Sequence, residues 1–171
     1  RLFDVISDAP MSTEFALSRF LVPAIMRRVY QKPRGWALFM DCDVMVRANL
    51  QELRALCDDS KALMCVKHEH NPARSIKMDA QVQTSYPRKN WSSVVFWDCA
   101  FFPNRVLTPE FVAKATGSYL HRFEWLKDDQ IGDLPAEWNH LTMEYDENPD
   151  AKLYHYTIGT PCFPEFRIQE G

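Results

Sequence analysis

Apolar residues recur along the chain in short blocks, and the spacing alternates between that of helices and that of strands. Apolar positions from Phe15 to Val29 follow a helical period, which Pro23 is expected to kink or restart. Further helices are predicted at 49–56 and 108–116, and short continuous apolar runs predict strands at 36–40, 62–66, 93–97 and 153–156. This alternation predicts one α/β domain over residues 1–171, with a mostly parallel sheet flanked by helices and with Gly117 closing the 108–116 helix.

Composition excludes several classes of function. The chain has 171 residues, of which 46% are hydrophobic and 25% charged, with a formal net charge of −3. No basic excess indicates a nucleic-acid partner. No apolar stretch approaches the roughly 20 residues that a membrane-spanning helix needs. The five cysteines are odd in number and form no C-x-x-C pair, so we expect free thiols in a reducing, cytoplasmic compartment.

Two carboxylates one residue apart form the sharpest chemical feature. Asp41 and Asp43 follow the apolar run 36–40, and ligands of open α/β sheets bind beyond the carboxyl ends of strands. Carboxylate oxygens at such a place suit Mn²⁺ or Mg²⁺, which keep open positions for substrate phosphates. A surface turn with two solvated acids is the alternative that the pattern alone leaves open.

The surrounding residues resemble the signature of family 8 glycosyltransferases, which have a GT-A fold. Leu38-Phe39-Met40-Asp41-Cys42-Asp43 is followed by Val44-Met45-Val46 and then by Asn49-Leu50-Gln51-Glu52-Leu53, in the order and spacing of that family. The resemblance covers residues 12 to 163. It implies that Asp41 and Asp43 bind the metal, and that Asp41 also reaches the donor.

The resemblance implies further site residues on both sides of this motif. Ser18-Arg19-Phe20 with Pro23 looks like the family's Ala-Arg-Leu segment, in which the Arg contacts the donor. The segment 154–161 looks like the family's His-aromatic-x-Gly-x-x-Lys-Pro segment, so His155 would be the third metal ligand and Gly159 would contact the donor. Thr160 stands where the family has its diphosphate-binding Lys.

Two more segments carry weaker resemblances. Asp128, Asp129 and Gln130, followed by Leu134-Pro135-Ala136-Glu137-Trp138-Asn139, resemble the family's Asp-Gln-Asp and Leu-Pro…Trp-Asn stretches, which implies a catalytic role beside the donor sugar. The choice between Asp128 and Asp129 stays open, with Asp129 favoured. The segment 90–96 resembles the family's Asn-Ser-Gly-Val strand, which makes Asn90 and Ser92 candidates for donor binding.

The pair His68 and His70 could in principle hold a second metal, although solvated loop histidines are the favoured interpretation. The segment Asp79–Gln83 lies in a polar loop from which it could reach the donor sugar.

The implied function is metal-dependent transfer of a hexose from a nucleotide diphosphate sugar, with UDP the expected nucleotide, to a saccharide, lipid or protein acceptor. The metal would be Mn²⁺ or Mg²⁺, and the family implies retention of the anomeric configuration. A homo-oligomer is left open. Nothing in residues 1–11 looks like the family's first, nucleotide-binding strand, so we expect an N-terminally incomplete domain that binds UDP weakly as it stands.

Two other classes remain as alternatives. Haloacid-dehalogenase-type phosphohydrolases also place Asp-x-Asp after an apolar strand, but Met45 departs from their motif and about 40 residues precede it here. A non-catalytic glycosyltransferase relative or fragment is the third possibility, because the Lys and the first strand are missing.

Overall fold

The computed structural model of the protein describes residues 3–4, 9–10, 16–31, 35–69, 88 and 90–162. Its helices are α1 (Val22–Arg28), α2 (Leu50–Ala55), α3 (Pro109–Val112) and α4 (Gly117–His121). Its strands are β1 (Phe3–Asp4), β2 (Ala9–Pro10), β3 (Trp36–Met40), β4 (Val44–Val46), β5 (Leu63–Cys65), β6 (Val94–Asp98), β7 (Ile131–Asp133), β8 (His140–Leu141) and β9 (Leu153–His155). Short 3₁₀ turns cover Ser18–Leu21, Phe102–Val106, Asp128–Gln130 and Ala136–Asn139. This mixture of helices and sheets confirms the α/β class.

The strands form one four-stranded sheet, one three-stranded sheet and a small pair. The larger sheet has the order β3-β6-β5-β7, the smaller has the order β4-β9-β8, and β1 pairs with β2. The predicted, mostly parallel arrangement is corrected: only β5–β7 and β8–β9 are parallel among the described pairs, and β3–β6, β5–β6, β4–β9 and β1–β2 are antiparallel. The reason is that an apolar run reports burial on both faces of a strand and carries no information about its direction.

Both faces of the larger sheet are covered, because alternate residues of each strand point to opposite sides. On β6, Val95 and Trp97 belong to a core that includes residues of α3 and α4. Val94 and Phe96 belong to a second core that includes Leu53 of α2. The sheet therefore lies between two apolar layers, which explains why its strands are apolar throughout.

Local capping explains where the helices begin. Pro23 lies in the first turn of α1, where it restarts the helix as expected, and the Asn49 side chain accepts a hydrogen bond from Gln51 N at 3.0 Å at the start of α2. The predicted helix 108–116 is corrected, since α3 ends at Val112. Thr116 Oγ1 accepts from Tyr119 N at 3.2 Å and begins α4, so Gly117 opens a helix instead of closing one.

Several sequence predictions concern residues outside the described ranges. The expected helix start at Ser12–Glu14, His70 and the donor-facing segment Asp79–Gln83 are among them. Within the described residues, no helix has the length and apolar character needed to cross a membrane. The five cysteines are free thiols, with Cys42 and Cys162 exposed.

We expect Leu53→Ala to lower the free energy of unfolding by about 2–5 kcal/mol, because it leaves a cavity between α2 and the sheet. Leu53 is fully buried, whereas Leu56 at the end of the same helix is 40% exposed. Leu56→Ala is therefore a matched control that should cost about 0.5 kcal/mol or less. Urea unfolding followed by tryptophan fluorescence measures both values, and equal losses would contradict the place of Leu53 in the core.

Candidate functional site

Asp41 and Asp43 lie in the tight connection between β3 and β4, and the backbone holds both in place. Asp41 N donates to Ser93 O at 2.9 Å, next to the start of β6. Asp43 O accepts from Tyr156 N at 3.0 Å, next to the end of β9. The two carboxylates are thus fixed between the larger and the smaller sheet.

The pairing of β4 with β9 brings a histidine to these acids. Val44 is opposite His155 in the antiparallel register, and the His155 side chain is almost completely buried. Its Nε2 lies 3.4 Å from Asp43 Oδ1. Asp41, Asp43 and His155 each offer a ligand atom, and these atoms lie within 4.8 Å of one another. The structure therefore assembles the three predicted metal ligands.

Asp43 supplies a direct reason to expect a cation there. Its Oδ1 is buried and has no hydrogen-bond partner, since the contact with His155 is an ion-pair distance without hydrogen-bond geometry. Burying a carboxylate oxygen without a partner is costly, and a divalent cation bound between this oxygen and His155 would satisfy it. A set of carboxylate oxygens and one imidazole nitrogen fits Mn²⁺. The residues present thus fit the divalent metal that the sequence predicts.

The two acids differ in their electrostatic environment. Burial raises the pKa of Asp41 above its usual value, although the charge of Arg19 opposes this effect. Burial also acts to raise the pKa of Asp43, but contact with His155, a backbone hydrogen bond and Arg19 together hold that pKa below its usual value. Asp43 therefore stays ionised more readily than Asp41, which is the state in which a carboxylate can bind a metal.

Arg19 lies beside Asp41, as expected for a site residue, but its guanidinium is engaged by the protein. It forms a two-point ion pair with Asp41, at 2.8 Å from Nη2 to Oδ1 and 3.1 Å from Nη1 to Oδ2. It also donates to Ser92 O at 2.8 Å and Ala16 O at 3.0 Å, and it lies 5.1 Å from the centre of the Phe39 ring. The planar fork of arginine suits such a fixed arrangement. Its role toward the donor stays a prediction.

The other residues predicted to bind the donor lie in two nearby segments. Asn90 and Ser92 precede β6, beside Arg19; Asn90 has a left-handed backbone (φ 62), and Ser92 Oγ lies 2.7 Å from His121 Nδ1. Gly159 lies in the loop after His155 and is partly exposed. Their donor contacts stay predictions.

Asp128, Asp129 and Gln130 are not brought to this cluster. They precede β7, whose first residue pairs with the beginning of β5, whereas Asp41 follows the opposite end of β3. Asp128 pairs with Arg88, and Asp129 O accepts from Lys61 Nζ at 2.9 Å. The strand register thus places this turn at the far end of the sheet, and the predicted catalytic role receives no support from its position.

His68 has both ring nitrogens occupied within the protein, which differs from a solvated loop histidine. Its Nε2 lies 3.0 Å from Asn139 Nδ2, and its Nδ1 lies 3.2 Å from Tyr145 Oη. Burial, followed by the neighbouring His155 and His140, lowers its pKa to about 4. His68 therefore belongs to a neutral polar network behind Asp43 and His155.

Asn139 is the residue at this site to which the sequence assigned no role. It is fully buried, and its Oδ1 lies 3.1 Å from His155 Nδ1. The sequence could not predict the contact between Asn139 and His155, because this contact depends on the pairing of β8 with β9. The one sequence signal for Asn139 was its place in the Trp138-Asn139 pair.

The fold of this chain is similar to that of two glycosyltransferases of known structure. The apo crystal structure of mouse xyloside xylosyltransferase 1 matches with a TM-score of 0.55 at 14% identity, over 90% of this chain and 68% of that chain. The apo WbbM bifunctional glycosyltransferase matches with a TM-score of 0.58 at 14% identity, over 88% of this chain and 33% of that chain.

Among curated proteins, Protein CDI of Arabidopsis thaliana is 47% identical over 161 residues, which is 91% of this chain. The chain spans 60% of the length of that relative. No family model matches the chain.

His121, beside Ser92, makes the stability of the protein depend on pH. Burial, with a smaller effect of Arg19, lowers its pKa from 6.5 to about 4. The unfolded chain therefore takes up this proton first, so this contribution to stability is complete above about pH 6.5 and is lost as the pH falls toward 4. At about 1.4 kcal/mol for each pKa unit, the loss is on the order of 3 kcal/mol.

Unfolding free energies of the protein and of His121→Gln between pH 7 and pH 4 measure this effect. The variant should show a flatter dependence on pH. The same slope in both proteins would contradict the lowered pKa of His121.

Proposed function

We propose that this protein is a metal-dependent glycosyltransferase that moves a hexose from a nucleotide diphosphate sugar, expected to be UDP-linked, to a saccharide, lipid or protein acceptor. The observation that carries the proposal is the buried, unpartnered Asp43 Oδ1 facing His155 Nε2. The glycosyltransferase-like fold around this pair supports it. Retention of the anomeric configuration belongs to the same proposal.

Asp43 and His155 would hold Mn²⁺ or Mg²⁺, and Asp41 would complete the set directly or through water. The metal would supply stabilisation of the negative charge that builds on the departing diphosphate. Both oxygens of Asp41 already accept from Arg19, whereas Asp43 Oδ1 has no hydrogen-bond partner, so Asp43 with His155 is the less engaged part of the ligand set. In this arrangement Asp43 and His155 would hold the metal, and Asp41 would orient the bound donor.

The charges of the site agree with a diphosphate ligand. Asp41 and Asp43 contribute two negative charges, and Arg19 contributes one positive charge. Adding a divalent cation changes the net charge of this group from −1 to +1. A small positive excess in a partly buried site favours the departing diphosphate, because charge interactions are weakly screened there.

The phosphohydrolase alternative conflicts with the geometry of Asp41. In that class the first Asp is the nucleophile, and one of its oxygens must be turned toward the substrate phosphate. Here Arg19 holds both oxygens of Asp41, and the strand that ends at Asp41 runs antiparallel to its neighbour. The glycosyltransferase proposal requires neither a free Asp41 oxygen nor a parallel neighbour.

We expect the protein to bind Mn²⁺, and Asp43→Asn to weaken this binding by more than about 100-fold. Loss of a ligand should exceed the roughly 10–100-fold effect of removing an outer partner. Asp58→Asn is the matched control, because Asp58 is an exposed acid in a turn and the amide can still accept from Ser60 N. Electron paramagnetic resonance of free Mn²⁺ measures the affinities. Equal binding by wild type and Asp43→Asn would refute the metal site.

The exposed Cys42 provides a second measurement of the same site, since it lies between the two acids. Mn²⁺ should slow alkylation of Cys42 and leave that of the exposed Cys162 unchanged. Equal effects on both thiols would indicate non-specific binding.

With UDP-sugars and Mn²⁺, we expect the full-length protein to release UDP, and Asp43→Asn to lower this rate by about 100-fold or more, as expected when charge stabilisation of the leaving group is lost. Coupled detection of UDP and of inorganic phosphate separates the alternatives. Phosphate release from simple esters without UDP would support the phosphohydrolase. Mn²⁺ binding without either product would support a non-catalytic relative.

A further inference from the structure

The single hydroxyl proton of Ser93 determines how the buried amide next to it must be oriented. Ser93 Oγ donates to Asn90 O at 2.8 Å, and a serine hydroxyl has only one proton. In its contact with Asn139, at 2.9 Å, Ser93 Oγ must therefore be the acceptor. The amide nitrogen of Asn139 consequently faces Ser93, and its carbonyl oxygen faces the opposite direction.

The remaining contacts of Asn139 are consistent with this orientation. Its second N–H meets His68 Nε2 at 3.0 Å, which makes that nitrogen an acceptor. The proton of His68 is then on Nδ1, from which it donates to Tyr145 Oη. Turning the amide over would break its contact with Ser93, whose only proton already goes to Asn90 O. His68 can be either donor or acceptor, so Ser93 is the partner that fixes the orientation.

The orientation of the amide decides which nitrogen of His155 carries the proton. Asn139 Oδ1 lies 3.1 Å from His155 Nδ1, and an amide oxygen only accepts. The proton of neutral His155 is therefore on Nδ1, and the free electron pair is on Nε2. This is the nitrogen that faces Asp43.

We infer that Asn139 is a positioning residue that fixes the tautomer and ring orientation of His155, so that Nε2 is always presented to the metal. The inference rests on the metal site proposed above. Metal-binding histidines commonly donate their second ring N–H to a fixed acceptor, which raises the basicity of the ligating nitrogen. Here Asn139 is that acceptor, and Ser93, whose proton goes to Asn90 O, keeps the amide in this orientation.

Nitrogen NMR of the metal-free wild-type protein tests the tautomer without any variant. Long-range ¹H–¹⁵N spectra distinguish a protonated Nδ1 from a protonated Nε2, and His155→Ala assigns the signals among the five histidines. We expect His155 to be protonated on Nδ1. A neutral His155 ring protonated on Nε2 alone would overturn the inference, since Nδ1 would then have to accept from Asn139 and the amide would have the opposite orientation.

Three variants then test the consequence for metal binding. Asn139→Leu keeps the size and removes the acceptor, so Mn²⁺ binding should weaken by about 10–100-fold. Asn139→Asp keeps an acceptor oxygen for His155 Nδ1 but loses the amide donors to Ser93 and His68, so its loss of affinity should be smaller than that of Asn139→Leu. Asn104→Leu is the matched control, because Asn104 is an equally buried, hydrogen-bonded asparagine beyond the other end of β6, and it should not change the affinity.

The outcomes separate this inference from the proposed function. Wild-type affinity in Asn139→Leu, or an equal loss in Asn139→Leu and Asn139→Asp, would overturn the positioning role. Absence of Mn²⁺ binding by the wild type would overturn the proposed function, and the tautomer of His155 would still decide about Asn139. If Asn139→Leu does not fold, the nitrogen NMR spectrum of the wild-type protein still tests the role of Asn139.

Discussion

The antiparallel pairing of β4 with β9 is the contact on which the whole candidate site depends. It places Val44 opposite His155 and continues into the hydrogen bond from Tyr156 N to Asp43 O. Without this register, His155 and Asp43, which are far apart in the sequence, would not be neighbours in space. The pairing also orients β9 beside β8, and thereby brings Asn139 to the far side of the His155 ring. One short ladder therefore positions both the candidate metal ligands and the residue that contacts His155 from behind.

The two acids have different partners, and this difference gives the site its chemistry. Arg19 balances the charge of Asp41 by a two-point ion pair, whereas Asp43 keeps a buried oxygen without a hydrogen-bond partner. A buried carboxylate oxygen without a hydrogen-bond partner is expensive, and in the proposed function a cation would supply the missing partner. The protein thus pairs both oxygens of Asp41 itself, whereas one oxygen of Asp43 is left for the proposed cation.

Behind the ligands, a fully hydrogen-bonded polar network replaces apolar packing. Asn139 is the centre of this network, and each of its donors and its acceptor has a partner among Ser93, His68 and His155. Fully satisfied networks in a buried environment are stiff and have one arrangement, while incomplete ones are destabilising. This explains how a buried histidine can be held in one orientation by neutral groups alone.

The sequence by itself determined the α/β class, the strand at 36–40, the cap of α2 at Asn49 and the metal-ligand candidates Asp41, Asp43 and His155, because burial patterns, caps and short motifs are local. Only the tertiary structure decided the strand directions, the start of α4 at Gly117, the contact of Asn139 with His155 and the distant position of Asp128–Gln130. These features depend on hydrogen bonds between residues far apart in the chain. Apolar periodicity predicts which positions are buried but not which segments pair.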